Sequence, residues 1–291
     1  MRISENGMVR TVLADLMANR NHLSSLYEKL SSGSRINRPS DDPGGTVTVM
    51  QVRSNLSEIR QFRTNTTAAM DLLSAAELAL SEVSETMNQL RELALRGSSD
   101  TLPDESMHSL AETAEGLVDH LLSLANTRHA GRYLFAGHQT RTLPFSIEDS
   151  TVQYAGDEGV MVHEVGPGIQ MAMNVPGDGV FNDVLEVALG IRDALRAEDS
   201  QAVSEQLDAV DAAGDAVLMV RAELGGRINR LELGKNRLEE MEVSLTRVMS
   251  ETADVDMAEM VMHLAMAEQA YQTSLATGAR ILSPTLLDYL R

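Results

Sequence analysis

From Thr46 to about Arg96 the chain carries neither proline nor glycine. Ala69, Leu73, Ala76, Leu80, Val83, Met87, Leu90 and Ala94 recur through it at spacings alternating between three and four. That period keeps one apolar stripe on one side of an α-helix. A helix of about 50 residues is roughly 75–80 Å long, far more than a compact domain needs, so the pattern predicts a rod.

The same alternation recurs at both ends. Val9, Leu13, Leu16, Arg20, Leu23, Tyr27 and Leu30 form a seam over about Ser4–Leu30, and Met257, Val261, Leu264, Glu268, Tyr271, Leu275, Gly278 and Leu282 form another that ends before Pro284. These two stripes are the candidate assembly seam. A further helical stretch runs from Ser200 to about Ser250, seamed by Leu224, Ile228, Leu231, Leu238 and Leu245, and shorter helices are predicted from Pro103 to about His129 and from Asp183 to Arg196. Asp42 followed by Pro43 reads as an N-cap with proline at the first helical position. Gly44 and Gly45 then predict a frayed onset, because glycine is a poor helix former.

In the middle the composition changes. Phe135–Phe181 holds seven of the 20 glycines, three of the seven prolines and three of the four phenylalanines. Its short alternating runs, Thr151–Tyr154 and Val160–Val165, read as strands joined by glycine turns. The predicted fold is mainly α: a long antiparallel, coiled-coil-like helical rod formed from both termini, with a small central β insertion. The predicted division is 1–42 plus 251–291 as terminal helical arms, 43–134 plus 182–250 as the rod, and 135–181 as the β-rich part.

Charge excludes several functions. The net charge of −19 disfavours a nucleic-acid binder, which needs basic surface to displace counterions, and disfavours an anionic membrane surface. No apolar run reaches the ~18–20 residues of a transmembrane helix. The first 25 residues lack the apolar core of a secretory signal, since Arg10, Asp15 and Arg20 interrupt them, so export without a cleaved signal peptide is expected. Residues 1–40 carry six basic groups against three acids, and residues 251–291 carry six acids against two arginines, so the ends have opposite sign. If Leu30 lies near Met257 in an antiparallel pair, facing positions sum to about 287 and Arg20 meets Glu268, the one charged pair in the seam.

Residues that could carry chemistry read more simply as structure. The seven histidines are scattered without metal-ligand spacing. There is no cysteine, hence neither a disulfide nor a cysteine nucleophile. Asp41-Asp42 precede a proline and two glycines, which suits a helix cap and not a calcium loop. Gly166-Pro167-Gly168 and Gly177-Asp178-Gly179 lack the lysine and hydroxyl ending of a phosphate loop and read as turns. No catalytic residues, cofactor or metal site is expected. Met257, Met260, Met262 and Met266 suit either an adaptable binding face or plain packing.

Several stretches together resemble one family. Leu30–Pro43 (LSSGSRINRPSDDP) resembles a signature shared by bacterial flagellins and flagellar hook–filament junction proteins. Leu122–Thr127 with Gly131–Gly137, the start Met1–Ser4 and the ending Leu286–Leu290 resemble the FlgL-type junction proteins of that flagellin superfamily. Ala253–Glu259 is similar in both groups. The resemblance implies a non-enzymatic structural subunit, exported through the flagellar type III apparatus to the extracellular flagellum. It implies copies of itself in a ring layer, a hook-side junction protein, flagellin and a cytosolic export chaperone as partners. A minor flagellin is the alternative. An enzyme housed in the β insertion and a cytosolic coiled-coil scaffold are the readings from other classes.

Overall fold

A computed structural model describes the backbone of residues 2–99 and 103–282 and the side chains of residues 7–99 and 103–280. The side chain of Leu282, the Pro284 stop, and the motifs at the first and last few residues lie outside the described residues. The chain is mainly α, with long helices from both ends and a small central β region. The helices are α1 (Arg2–Ser32), α2 (Pro43–Gly97), α3 (Asp104–Ala125), α4 (Asp178–Arg196), α5 (Ser200–Glu205), α6 (Leu207–Ala253) and α7 (Met257–Leu282). The long uninterrupted stretch after residue 46 is thus helix, as its period predicts.

Two compact units divide the chain: Met1–Glu58 with Met241–Arg291, and Ile59–Glu240. In the second unit the stripe read from sequence is the core. Ala69, Leu73, Ala76, Leu80, Val83, Met87, Leu90 and Ala94 are all buried, with Leu224 and Leu231 of α6 in the same cluster. Polar pairs tie α2 to α6: Arg221 donates to Glu77 Oε1 at 2.8 Å, and Arg91 Nε meets Asp211 Oδ1 at 2.5 Å.

The β region consists of three antiparallel hairpins. They are β1 (Arg128–His129) with β2 (Arg132–Tyr133), β3 (Phe145–Glu148) with β4 (Thr151–Tyr154), and β5 (Val162–Gly166) with β6 (Ile169–Ala172). Its strands therefore begin before residue 135, and α3 stops at Ala125 instead of about His129. The reason is Asn126, whose side-chain oxygen accepts from Phe145 N–H (3.1 Å) while its Nδ2 donates to Phe145 O (2.9 Å). An amide that mimics a strand edge in this way competes with continuing the helix. Gly166-Pro167-Gly168 is the β5–β6 turn. Gly177-Asp178-Gly179 is instead the start of α4, and a Cβ on Gly177 would sit 2.7 Å from Phe135 O.

Phenylalanines anchor this region to the helices. Phe135, Phe145 and Phe181 are buried, with Phe181 ring centroids 4.7 Å from Phe135 and 5.5 Å from Phe145. Replacing Phe181 with alanine should cost about 3–5 kcal/mol, because tilted rings on two sides cannot collapse into the space. Chemical denaturation of the second unit reads this loss, whereas Leu13→Ala on the exposed side of α1 should change its midpoint little.

Candidate assembly interface

The first unit is built around a joint. Gly33, with φ of +68°, ends α1 in the left-handed conformation glycine tolerates. Ser34 then forms an antiparallel bridge with Asp254. Arg35 N–H donates to Ala253 O (2.6 Å), Val255 N–H to Gly33 O (3.2 Å), and Arg35 Nη2 to Thr252 O (2.8 Å). The stretch after α1 is thereby sewn to the end of α6.

Two aspartates organise the turn between. Asp41 Oδ2 accepts from Asn37 and Arg38 N–H, and the Arg38 amide chiefly holds its carboxyl below the usual 3.8. Asp42 Oδ1 accepts from Gly45 N–H at 2.9 Å while Oδ2 meets Arg35 at 3.1 Å. The Gly45 amide, and after it Arg35, hold Asp42 below 3.8 against the opposing cost of its desolvation. Asp42 is thus the N-cap its sequence position predicts, and the pair is a cap and a turn brace. Because both carboxyls titrate lower in the folded chain, their contribution is present above the unfolded value and lost as pH falls through the lower folded one.

The expectation of a frayed α2 onset is corrected here. The helix begins at Pro43, and Thr46 N–H reaches Asp42 O at 2.9 Å. Gly45 is required by space: a Cβ there would lie 2.5 Å from Ile36 Cδ1 and 2.6 Å from Asp42 Oδ2. Gly44 has no such neighbour, its nearest atom lying at 3.7 Å.

Beyond the joint, α1 and α7 run antiparallel and pack on each other. Asn19 Nδ2 donates to Ser274 Oγ (2.9 Å), and Tyr27 Oη donates to Glu268 Oε1 (2.5 Å). That bond, and the charge behind it, push the Tyr27 phenol upward. At Gly278 an added Cβ would come within 3.3 Å of Val12 and 3.5 Å of Leu16, so glycine lets the backbones approach. The Arg20–Glu268 pairing is therefore corrected. Glu268 lies opposite Tyr27, about two helical turns along from Arg20. Counting back from Leu30 and Met257 assumes the two helix ends are level, and these contacts set them at different heights.

The candidate seam residues separate into two groups. Val9, Leu16, Leu23 and Leu30, with Leu264, Glu268 and Tyr271, are half-buried. Leu13, Arg20 and Tyr27, with Met257, Val261 and Leu275, are exposed. The inner stripe of α1 instead completes itself through Val12, Asn19 and Leu26, and that of α7 through Met260, Ala267, Ser274 and Gly278. Sequence reasoning placed Gly278 in the stripe but passed over the others, because many are small or polar and a search for large apolar side chains favours their neighbours. A usable signal was present in Asn19 and Ser274, polar members that match each other across the pair.

The packing leaves much uncovered. Leu26, 7% exposed, is the one buried large side chain of the described part of α1. Met8, Leu13, Met17 and Tyr27 on α1, and Met257, Val261, Met262, Met266 and Leu275 on α7, are 43–66% exposed. Exposed apolar surface on this scale marks an interaction face. Paired helices from the two chain ends that still present apolar stripes, with no cluster of metal-ligating side chains among the described residues, fit a structural protein.

Comparison with known proteins narrows the class. The bacterial flagellin N-terminal helical region matches residues 3–140, and the bacterial flagellin C-terminal helical region matches residues 207–290. The flagellar hook-associated protein 3 of Escherichia coli K12 is 29% identical over 94% of this chain and 95% of its own length. The flagellin of Bacillus subtilis 168 is 27% identical over 89% and 88%. Among solved structures, a putative flagellar hook-associated protein from Vibrio parahaemolyticus shares the fold with a TM-score of 0.65, 24% identity, and coverage of 74% of this chain and all of that one. The flagellar junction protein FlgL from Legionella pneumophila gives 0.59, 17%, and coverage of 72% and 100%. The chain belongs to the flagellin family, a family of flagellar structural proteins.

Two measurements test this interface. Gly45→Ala should push the Asp42 carboxylate off the Gly45 amide and cost about 1 kcal/mol, the typical worth of an N-cap, whereas Gly44→Ala should be neutral or mildly stabilising. Amide exchange at the start of α2 distinguishes them, and equal effects would show that Gly45 has room for a side chain. In double-mutant cycles scored by incorporation into hooks, Tyr27→Phe and Glu268→Gln should be coupled, while Arg20→Leu and Glu268→Gln should be additive.

Proposed function

We propose that this chain is a structural subunit of the hook–filament junction of the bacterial flagellum. In this reading its copies form a ring layer between a hook-side junction protein and the first layer of flagellin. The observation that carries it is the antiparallel α1–α7 pair, packed side by side from the Ser34–Asp254 joint, yet bearing uncovered apolar stripes. The near full-length match to hook-associated protein 3 supports the junction in particular. Residues 1–42 with 251–291 serve as assembly arms, with Val9, Leu13, Leu16, Arg20, Leu23, Tyr27, Leu30, Met257, Val261, Leu264, Glu268, Tyr271, Leu275 and Leu282 contributing to the seam. The helical body (43–134 with 182–250) carries the β region of 135–181. The chain reaches the extracellular flagellum without a cleaved signal peptide, accompanied in the cytosol by an export chaperone, and it performs no catalysis.

A pair of helices with so little buried apolar area gains too little to offset its own ordering entropy. Neighbouring copies supply the missing burial, which makes completion of the fold and growth of the layer one event. Flagellin relatives match nearly as much of the chain, so the filament subunit is the second reading. A strain deleted for this chain separates the two. The junction reading expects hooks without filaments in electron micrographs and flagellin monomers in the medium. Filaments of normal or reduced length on those hooks would favour the flagellin reading.

A further inference from the structure

The fold sorts the methionines. Met87, Met107 and Met173 are buried in the second unit, at 3%, 3% and 5% exposure. Met262 and Met266 of α7 are 58% and 66% exposed. At about 100° per residue, Met262, Met266, Gln269 and Thr273 share one face of α7, roughly 160–180° from the Leu264 and Tyr271 face that meets α1. A surface helix ordinarily puts its charged residues on the side away from its packing partner. Here that side carries the thioethers of Met262 and Met266, and Met266 lines a shallow, almost wholly apolar depression with Ala265, Gln269, Ala270 and Thr273.

The chain has 17 methionines and no cysteine, so no thiol competes for an oxidant. Susceptibility then follows exposure of the thioether sulfur. Oxidation turns a flexible apolar side chain into a polar, chiral sulfoxide and disrupts methionine-rich contacts. The occupant of this face is a second copy of the chain, which rests on the assembly reading above. The sign of the charges favours a neighbour's N-terminal arm, since residues 1–40 are net positive and residues 251–291 net negative. That arm presents Leu13 and Met17, 43% and 62% exposed, as apolar side chains for the depression.

We propose that Met262 and Met266 are a peroxide-sensitive modification site that gates incorporation: S-oxidation before assembly blocks it, and assembly shields the sulfurs from further oxidation. In the reaction a peroxide O–O bond breaks and an S–O bond forms. Sulfur loses two electrons, and the peroxide is reduced to water or, for an organic peroxide, to an alcohol.

The full chain is treated with hydrogen peroxide, its sulfoxides are mapped by peptide mass spectrometry, and it is then added to hooks isolated from a strain deleted for this chain. Sulfoxide should form at Met262 and Met266 well before Met87, Met107 and Met173, with at least a tenfold loss of incorporation. Met17 is as exposed as Met262 and lies in the docking arm, so both chains carry Met17→Leu. In that background the Met262→Leu, Met266→Leu variant keeps apolar volume on an exposed face, and after the same treatment it should incorporate within about twofold of the untreated chain. In assembled flagella the two sulfurs should oxidise at least tenfold more slowly than in the free chain, with Met219 of the second unit, 71% exposed, as the reference. Undiminished incorporation of chain oxidised at both positions overturns the proposal, as does equal loss in the leucine variant or unchanged oxidation in flagella. Failure of the untreated chain to bind hooks counts instead against the assembly reading.

Discussion

The two ends of this chain are held together by backbone. At the joint, Ser34 and Asp254 exchange strand-like pairing, Arg35 N–H reaches Ala253 O, and Val255 N–H reaches Gly33 O. Side chains then brace it, with Arg35 spanning Asp42 and Thr252 O and Asp42 capping α2. Backbone pairing fixes direction and height in a way that a stripe of leucines does not, since an apolar stripe can slide by a turn at small cost. With the joint made, α1 and α7 run antiparallel, and side-chain contacts along the pair then select the facing residues.

The helix pair that follows is poor in burial and rich in small or polar contacts. Asn19 with Ser274, Tyr27 with Glu268, and Gly278 under Val12 and Leu16 specify one register without generating a large core. The apolar side chains are spread around the helices instead of concentrated between them. This suits a segment whose environment changes when neighbours arrive. A core completed inside one chain would leave nothing to drive assembly, because the driving force is the apolar area removed from water on association. The second unit differs in having a contiguous core, built from α2, α3, α4, α6 and the residues of the β region, while side chains such as Leu78, Met219 and Leu233 stay exposed on its surface.

That contrast explains where periodicity succeeds. In the second unit every seam residue of α2 read from sequence is buried, because several elements cover that face of the helix. On α1 and α7 a single partner covers a narrow face, and the exposed stripe beside it has the same spacing. The pattern then holds two superimposed phases, one for the partner within the chain and one left open. Leu13, Arg20 and Tyr27 belong to the second and Val12, Asn19 and Leu26 to the first, with Val9, Leu16, Leu23 and Leu30 common to both readings.

By itself the sequence determined the helical class, the long helix after Pro43, the Asp42 cap, the glycine- and phenylalanine-rich strand region and the opposite charge of the ends. Each of these is a local consequence of backbone preference, side-chain period or composition. Only the tertiary structure decided the rest. It ended α3 at Asn126 because that amide pairs with Phe145, and it made Gly45 obligatory because Ile36 and Asp42 fill the space a side chain would take. It also set Glu268 against Tyr27 and turned Met262 and Met266 away from α1. Those outcomes depend on distances between residues far apart in the chain, and no local period encodes such distances.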